Sequence, residues 1–184
     1  MISHFSWLQD HGLAEVSRNN LVILSEIVDP SLYFVSGDPP LYGISPKPGQ
    51  TEKVYRILKD FSKTGAVRVY KKEEIPERFH YRNNRRIAPI IVFAEEGYEL
   101  CRDKEEAKRR FYMPTFGEHG YDNRAPSMRP LFMAVGPAFR KNFVHRQEFE
   151  NIDIFPLLCK LLDISPAKLR FNGTLSRIKP ILDE

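Results

Sequence analysis

Between Thr51 and Gly65 the apolar residues Val54, Ile57, Leu58 and Phe61 recur at spacings of three and four. That period predicts an amphipathic helix, with Thr51 as its N-cap and Gly65 as its stop. The alternating stretch AVRVY follows and reads as a strand, so residues 50–72 form a strand-helix-strand insertion. Upstream, NLVILSEIVD is an extended stretch or a short helix, and LYFVSGDPPLYGISPKPG reads as short strands separated by proline and glycine turns. IAPIIVFAEEGYEL reads as two strands around a tight turn. PLFMAVG is a continuous apolar run, the pattern of a strand buried on both faces, which favours a parallel or mixed sheet covered by helices. NIDIFPLLCKLLDI predicts a helix from near Asp153 with Ile154, Leu158, Leu161 and Leu162 on its core face; Pro156 fits the first turn. The class is α/β.

At 184 residues the chain fits one domain, a single unit over 1–184. No run is long and apolar enough to span a bilayer, and MISHFSWLQD carries neither the basic nor the apolar region of a secretory signal. Cys101 and Cys159 are too few for a disulfide framework, and one pair does not fix the redox compartment. The net charge of +4 raises nucleic-acid binding as a possibility. The surplus is small, however, and DKEEAKRR interleaves acids with bases as a solvated helix does. HYRNNRR lacks acids and suits an anion contact, but no nucleic-acid-binding signature surrounds it.

Two turns carry the candidate chemistry: Asp10-His11-Gly12, and Glu118-His119-Gly120 within GEHGYDN. Carboxylate and imidazole are metal-ligand types, and glycine allows a sharp bend beside them. The alternative is two unrelated capped loops. Asp122 and Asn123 either orient His119 from behind or hydrogen-bond their own turn. His4 and His145 read as surface residues, and His80 as packed between strands.

DHGLAEVS, VYKKEEIPERFHYRNNRRIAPIIVFAEEGY, GEHGYDN, MRPLFMAVGPAFRKNF, IDIFPLLCKLLDI and NGTLS, in that order, strongly resemble the nucleotide pyrophosphatase/phosphodiesterase family of the alkaline phosphatase superfamily. The resemblance spans nearly the whole chain but only the later half of the family's catalytic domain. It implies an alkaline phosphatase-like mixed sheet with flanking helices, truncated to its later half. It also implies a site of two zinc ions that hydrolyses nucleotide or phospholipid-type diesters. Asp10 and His11 would bind the zinc that holds the nucleophile, and His119 would bind the other; Glu118 is not carried over. The family's threonine nucleophile and its remaining ligands lie upstream of the first turn, and Thr51, Thr64, Thr115 and Thr174 do not sit in that context. The expectation is weak or absent zinc binding and no turnover by this chain alone.

The alternative is a non-catalytic remnant that associates through an exposed strand edge. The resemblance implies an extracellular or membrane-anchored location. Asn172 in NGT is an N-glycosylation acceptor in a secreted chain.

Overall fold

The structure, a computed structural model, describes residues 12–110, 113–165 and 169–183. Asp10, His11 and His4 lie outside these described residues. Contacts divide the chain into two compact units, Met1–Leu131 and Phe132–Glu184.

In chain order the first unit contains β1 (Ala14–Ser17), β2 (Leu21–Ile23), the one-turn helix α1 (Leu24–Ile27), β3 (Tyr33–Ser36) and β4 (Leu41–Pro46). Helix α2 (Thr51–Phe61), β5 (Val67–Lys71), β6 (Ile90–Ala94), β7 (Glu99–Cys101), helix α3 (Lys104–Arg110) and β8 (Thr115–Glu118) follow. Four strands make an antiparallel sheet in the order β3-β4-β6-β5. Because β4 and β5 both run antiparallel to β6, they are parallel to each other, and α2 is the crossover that such a pair requires. The predicted strand-helix-strand unit is therefore present, split by β6.

All five residues of β6 are buried, which its uninterrupted IIVFA sequence explains. Side chains alternate across a strand, so Ile90, Val92 and Ala94 join Val54, Leu58, Val67 and Val69 in the main core. Ile91 and Phe93 point to a smaller cluster with Ile75 and Ala88 on the opposite face. Helix α2 begins one position earlier than its predicted cap allows. Thr51 is its first helical residue, and Gln50 precedes it without a side-chain cap hydrogen bond. Gly65 does end the segment, at φ +82° after a 3-10 turn.

The remaining pairings depart from local expectation. β6 and β7 flank a tight turn, with the Tyr98 N–H donating to the Glu95 carbonyl at 3.0 Å, yet they belong to different sheets. β7 instead pairs in parallel with β2, the only parallel ladder among the described residues. NLVILSEIVD proves to be both of its predicted alternatives, a strand followed by one helical turn. Helix α3 is solvated as expected, with Lys108 paired to Glu105 at 3.0 Å, except on its inner face. There Glu106 is buried and accepts the Tyr42 hydroxyl at 2.9 Å and the Arg102 N–H at 2.7 Å.

In the second unit, α4 (Ile154–Leu161) and α5 (Leu175–Ile178) enclose a small core of Leu157, Ile178, Ile181 and Leu182. The predicted core face of α4 is rotated. Pro156, Leu157 and Cys159 are buried, while Leu158 and Leu162 are exposed, because this core lies toward α5. The predicted strand PLFMAVG is a further correction. It forms no strand, and Leu131, Met133 and Val135 are 64%, 80% and 96% exposed. An apolar run becomes a buried strand only beside a partner, and none of the described strands pairs with it. Cys101 and Cys159 are both buried. Among the described residues no helix is long and apolar enough to cross a membrane.

Candidate functional site

The ladder β1–β8 brings Gly12 and Gly120, the glycines of the two acid-His-Gly motifs, to one end of a ribbon. Ala14 pairs with Glu118 and Ser17 with Thr115 in antiparallel register. Gly12, two residues before Ala14, and Gly120, two residues after Glu118, therefore leave the same end of one two-stranded ribbon. Both take the left-handed conformation, φ +70° and +94°. Val16, fully buried from this ribbon, fixes which face turns inward, since a one-residue slip would expose it.

His119 follows β8 directly and is exposed. Its backbone N–H donates to Glu118 Oε1 at 2.9 Å, so the glutamate turns back on the loop. Gly120 is set against Pro40: a Cβ at this position would lie 3.2 Å from the proline Cδ. Replacing Gly120 by alanine is expected to destabilise the first unit by about 1–2 kcal/mol through the left-handed backbone alone. Urea denaturation would show this as a lower midpoint at unchanged slope.

Beyond Gly120 the loop is tied down twice. Tyr121 is buried and its hydroxyl donates to the Tyr98 carbonyl at 2.7 Å. Burial, reinforced by Glu99, Glu118 and Glu96, holds that phenol above its ordinary pKa. Asp122 accepts from Arg78 Nη1 on Oδ1 at 2.8 Å and from Arg68 Nη1 on Oδ2 at 2.9 Å, while Arg78 Nη2 also reaches Oδ2. Its Oδ1 further accepts the Arg124 N–H at 3.0 Å, and Asn123 Oδ1 accepts from Arg78 at 3.3 Å. The turn-bonding alternative for Asp122 is thus realised, and its remaining capacity goes to two arginines. Neither Asp122 nor Asn123 is hydrogen-bonded to the His119 ring among the described contacts.

Arg78 first, then Arg68 and the Arg124 N–H, hold the Asp122 carboxyl well below the usual carboxylate range against the opposing effect of burial. The depressed value gives the sign of a pH effect. The pairing contributes fully above the unfolded value of about 3.9, and its contribution is lost as pH falls from there through the folded value. Wild type and Asp122→Asn, compared by urea denaturation between about pH 7 and pH 2, are expected to differ most at neutral pH, by about 1–3 kcal/mol. The difference should shrink below about pH 4.

Sequence reasoning did not single out Arg68 or Arg78. Arg68 takes the polar position of the alternating AVRVY, and Arg78 stands just before the HYRNNRR cluster that suits an anion contact. Those were the available signals. His80, expected between strands, is exposed at a turn with φ +49°. His145 is half-buried, with Nε2 3.1 Å from the Arg177 carbonyl. Asn172 is exposed just before α5. Among the described residues no group of three or more His, Cys, Asp or Glu is placed to hold a metal. Zinc takes three or four protein ligands, so His119 and its described neighbours do not by themselves fit one.

The fold has clear counterparts among known proteins. The family of type I phosphodiesterases / nucleotide pyrophosphatases matches residues 8–122, and the chain belongs to that family. It is similar to human ectonucleotide pyrophosphatase/phosphodiesterase family member 5, 38% identical over 174 residues, which covers 95% of this chain and 34% of that protein. It is 42% identical over 173 residues to mouse bis(5'-adenosyl)-triphosphatase enpp4, covering 94% of this chain and 35% of that protein. The solved structure of human family member 5 matches with a TM-score of 0.82 at 37% identity, over 95% of this chain and 44% of that one. An inactive form of the murine protein, solved in complex with AMP, matches with the same TM-score at 36% identity. The chain spans about a third of the length of the curated relatives it matches.

Proposed function

We propose that this chain supplies one part of a zinc-dependent phosphodiesterase site acting on nucleotide diesters or pyrophosphates. Asp10 and His11 are ligands for one ion in this reading, and His119 for the other. The observation that supports it is the β1–β8 register, which pairs the strand beginning at Ala14 with the strand that His119 directly follows. Two zinc ions would supply Lewis-acid stabilisation of the attacking and leaving oxygens. No catalytic step is assigned to the described residues, because they do not complete a metal site. The chain on its own is accordingly expected to be inactive. The substrate class rests on the family and on the AMP complex of the murine relative. Phospholipid-type diesters remain the other substrate class of this reading.

The test is hydrolysis of a dinucleoside polyphosphate with zinc, first by the 184-residue chain alone and then after it is supplemented with the remaining catalytic segment of a relative. The reading expects activity only in the second case, reduced at least about 100-fold by His119→Ala. Turnover by the chain alone, or full activity without His119, would overturn it.

The exposed run Leu131, Met133 and Val135 favours a second reading, a non-catalytic segment that associates through these apolar side chains. Concentration-dependent self-association, abolished by Met133→Lys and unaffected by zinc, would support this second reading over the first.

A further inference from the structure

We propose that Arg78 and Arg68 are positioning residues for His119, fixing the loop that carries it through their joint grip on Asp122. The inference rests on the reading of His119 as a functional ligand. It adds that the placement of its imidazole depends on β5 and the 77–79 turn as well as on the β1–β8 ladder.

The loop itself holds His119 weakly. After Glu118 the chain leaves its ladder, and the only local hydrogen bond at His119 among the described contacts is the one from its N–H to Glu118. The next residue, Gly120, is the most permissive backbone available. A histidine so placed is held by whatever fixes the chain on its far side, and three residues on stands Asp122. Both carboxylate oxygens of Asp122 are engaged by guanidinium groups, and Oδ1 also closes the turn to Arg124.

The two arginines are themselves fixed. Arg68 lies on β5, ion-paired to Glu95 with Nε 2.6 Å from Oε1, and its Nη2 donates a hydrogen bond to Oε2 at 3.1 Å. Arg78 lies with its guanidinium 4.0 Å from the centroid of Phe79, which stacks on Phe93 of β6 at 5.4 Å. A planar guanidinium seated on a ring and bonded to both oxygens of one carboxylate sets orientation as well as distance, which an ammonium does not. Asp122 thereby connects the four-stranded sheet to the histidine turn, next to the anchor that buried Tyr121 provides.

The experiment uses the 184-residue chain, with amide hydrogen exchange and the ring resonances of His119 as readouts. In Arg78→Met, and more so in Arg68→Met/Arg78→Met, exchange at Asp122 to Arg124 is expected to rise about tenfold or more while α2 stays within about twofold. The His119 ring resonances should move toward those of an unconstrained histidine, and Arg78→Lys should restore them only in part. A role confined to overall stability would raise exchange in α2 and in the loop together and leave the ring signals in place, which would overturn the proposal. So would unchanged exchange and unchanged ring signals in the double variant. Titration with zinc alone reads the underlying metal assignment separately. If the wild-type His119 ring does not respond to zinc, that assignment fails for this chain, while the exchange and ring-shift results still decide whether the arginines position the loop.

Discussion

Replacing Asp153 with alanine is expected to destabilise the Phe132–Glu184 unit by about 3 kcal/mol, the upper end of the cost of leaving buried hydrogen-bonding groups without a partner. The side chain of Asp153 is fully buried. Its Oδ1 accepts the Thr174 N–H at 2.6 Å and Arg177 Nη2 at 2.8 Å; its Oδ2 accepts the Glu150 N–H at 2.9 Å and Arg177 Nε at 2.8 Å. Burial by itself would raise the pKa of this carboxyl, yet the bonds from Arg177, Thr174 and Glu150 together leave it lowered. Four donors converge on one carboxylate, so truncation leaves two backbone N–H groups without their partner and releases the Arg177 guanidinium, which is itself 38% exposed. Asp153→Asn keeps the volume but turns an NH2 group toward donors, and should recover only part of the loss. Amide exchange in α4 and α5 measures the effect for this unit separately from the first. Exchange there as slow as wild type in Asp153→Ala would show that the converging bonds do not hold the unit together.

How much of the fold is legible in the sequence depends on whether a signal is local. The period of Val54, Ile57, Leu58 and Phe61 places α2, and Gly65 marks its end, because a helix face and a left-handed stop are properties of neighbouring residues. IIVFA marks β6 for the same reason. What a strand pairs with is not local: nothing in ELC indicates that β7 lies beside β2 rather than β6. PLFMAVG shows the limit of hydrophobicity as a guide, since an apolar run specifies burial only where another element arrives to cover it. The helix α4 is legible but its buried face is not, because Leu158 and Leu162 look as core-forming in sequence as Leu157 and Cys159. At the candidate site the two histidine turns are readable as motifs, whereas the arginine grip on Asp122 joins positions 68, 78 and 122, and nothing at one of them indicates the other two.

The second large effect is expected from Gly173→Ala, at about 3 kcal/mol, the upper end of the usual range for overpacking. A Cβ at this position would lie 2.0 Å from the carbonyl oxygen of Ile152 and 2.6 Å from its carbon. These are backbone atoms at the start of the 3-10 turn Asn151–Asp153, so no rotamer change relieves the contact. In an N-x-T acceptor the middle residue is open to anything but proline; the glycine of NGT is therefore demanded by packing, whatever becomes of Asn172. The close approach has a purpose visible in the next residue, since it brings the Thr174 N–H to Asp153. Gly173→Ala and Asp153→Ala should accordingly damage one and the same junction. Residues that share a contact are not additive, so the double variant is expected to lose clearly less than the sum of the two single losses. Urea denaturation, combined with amide exchange to assign the loss to the second unit, completes the cycle. Simple additivity would mean that the glycine serves only to avoid a clash and has no part in delivering Thr174 to the carboxylate.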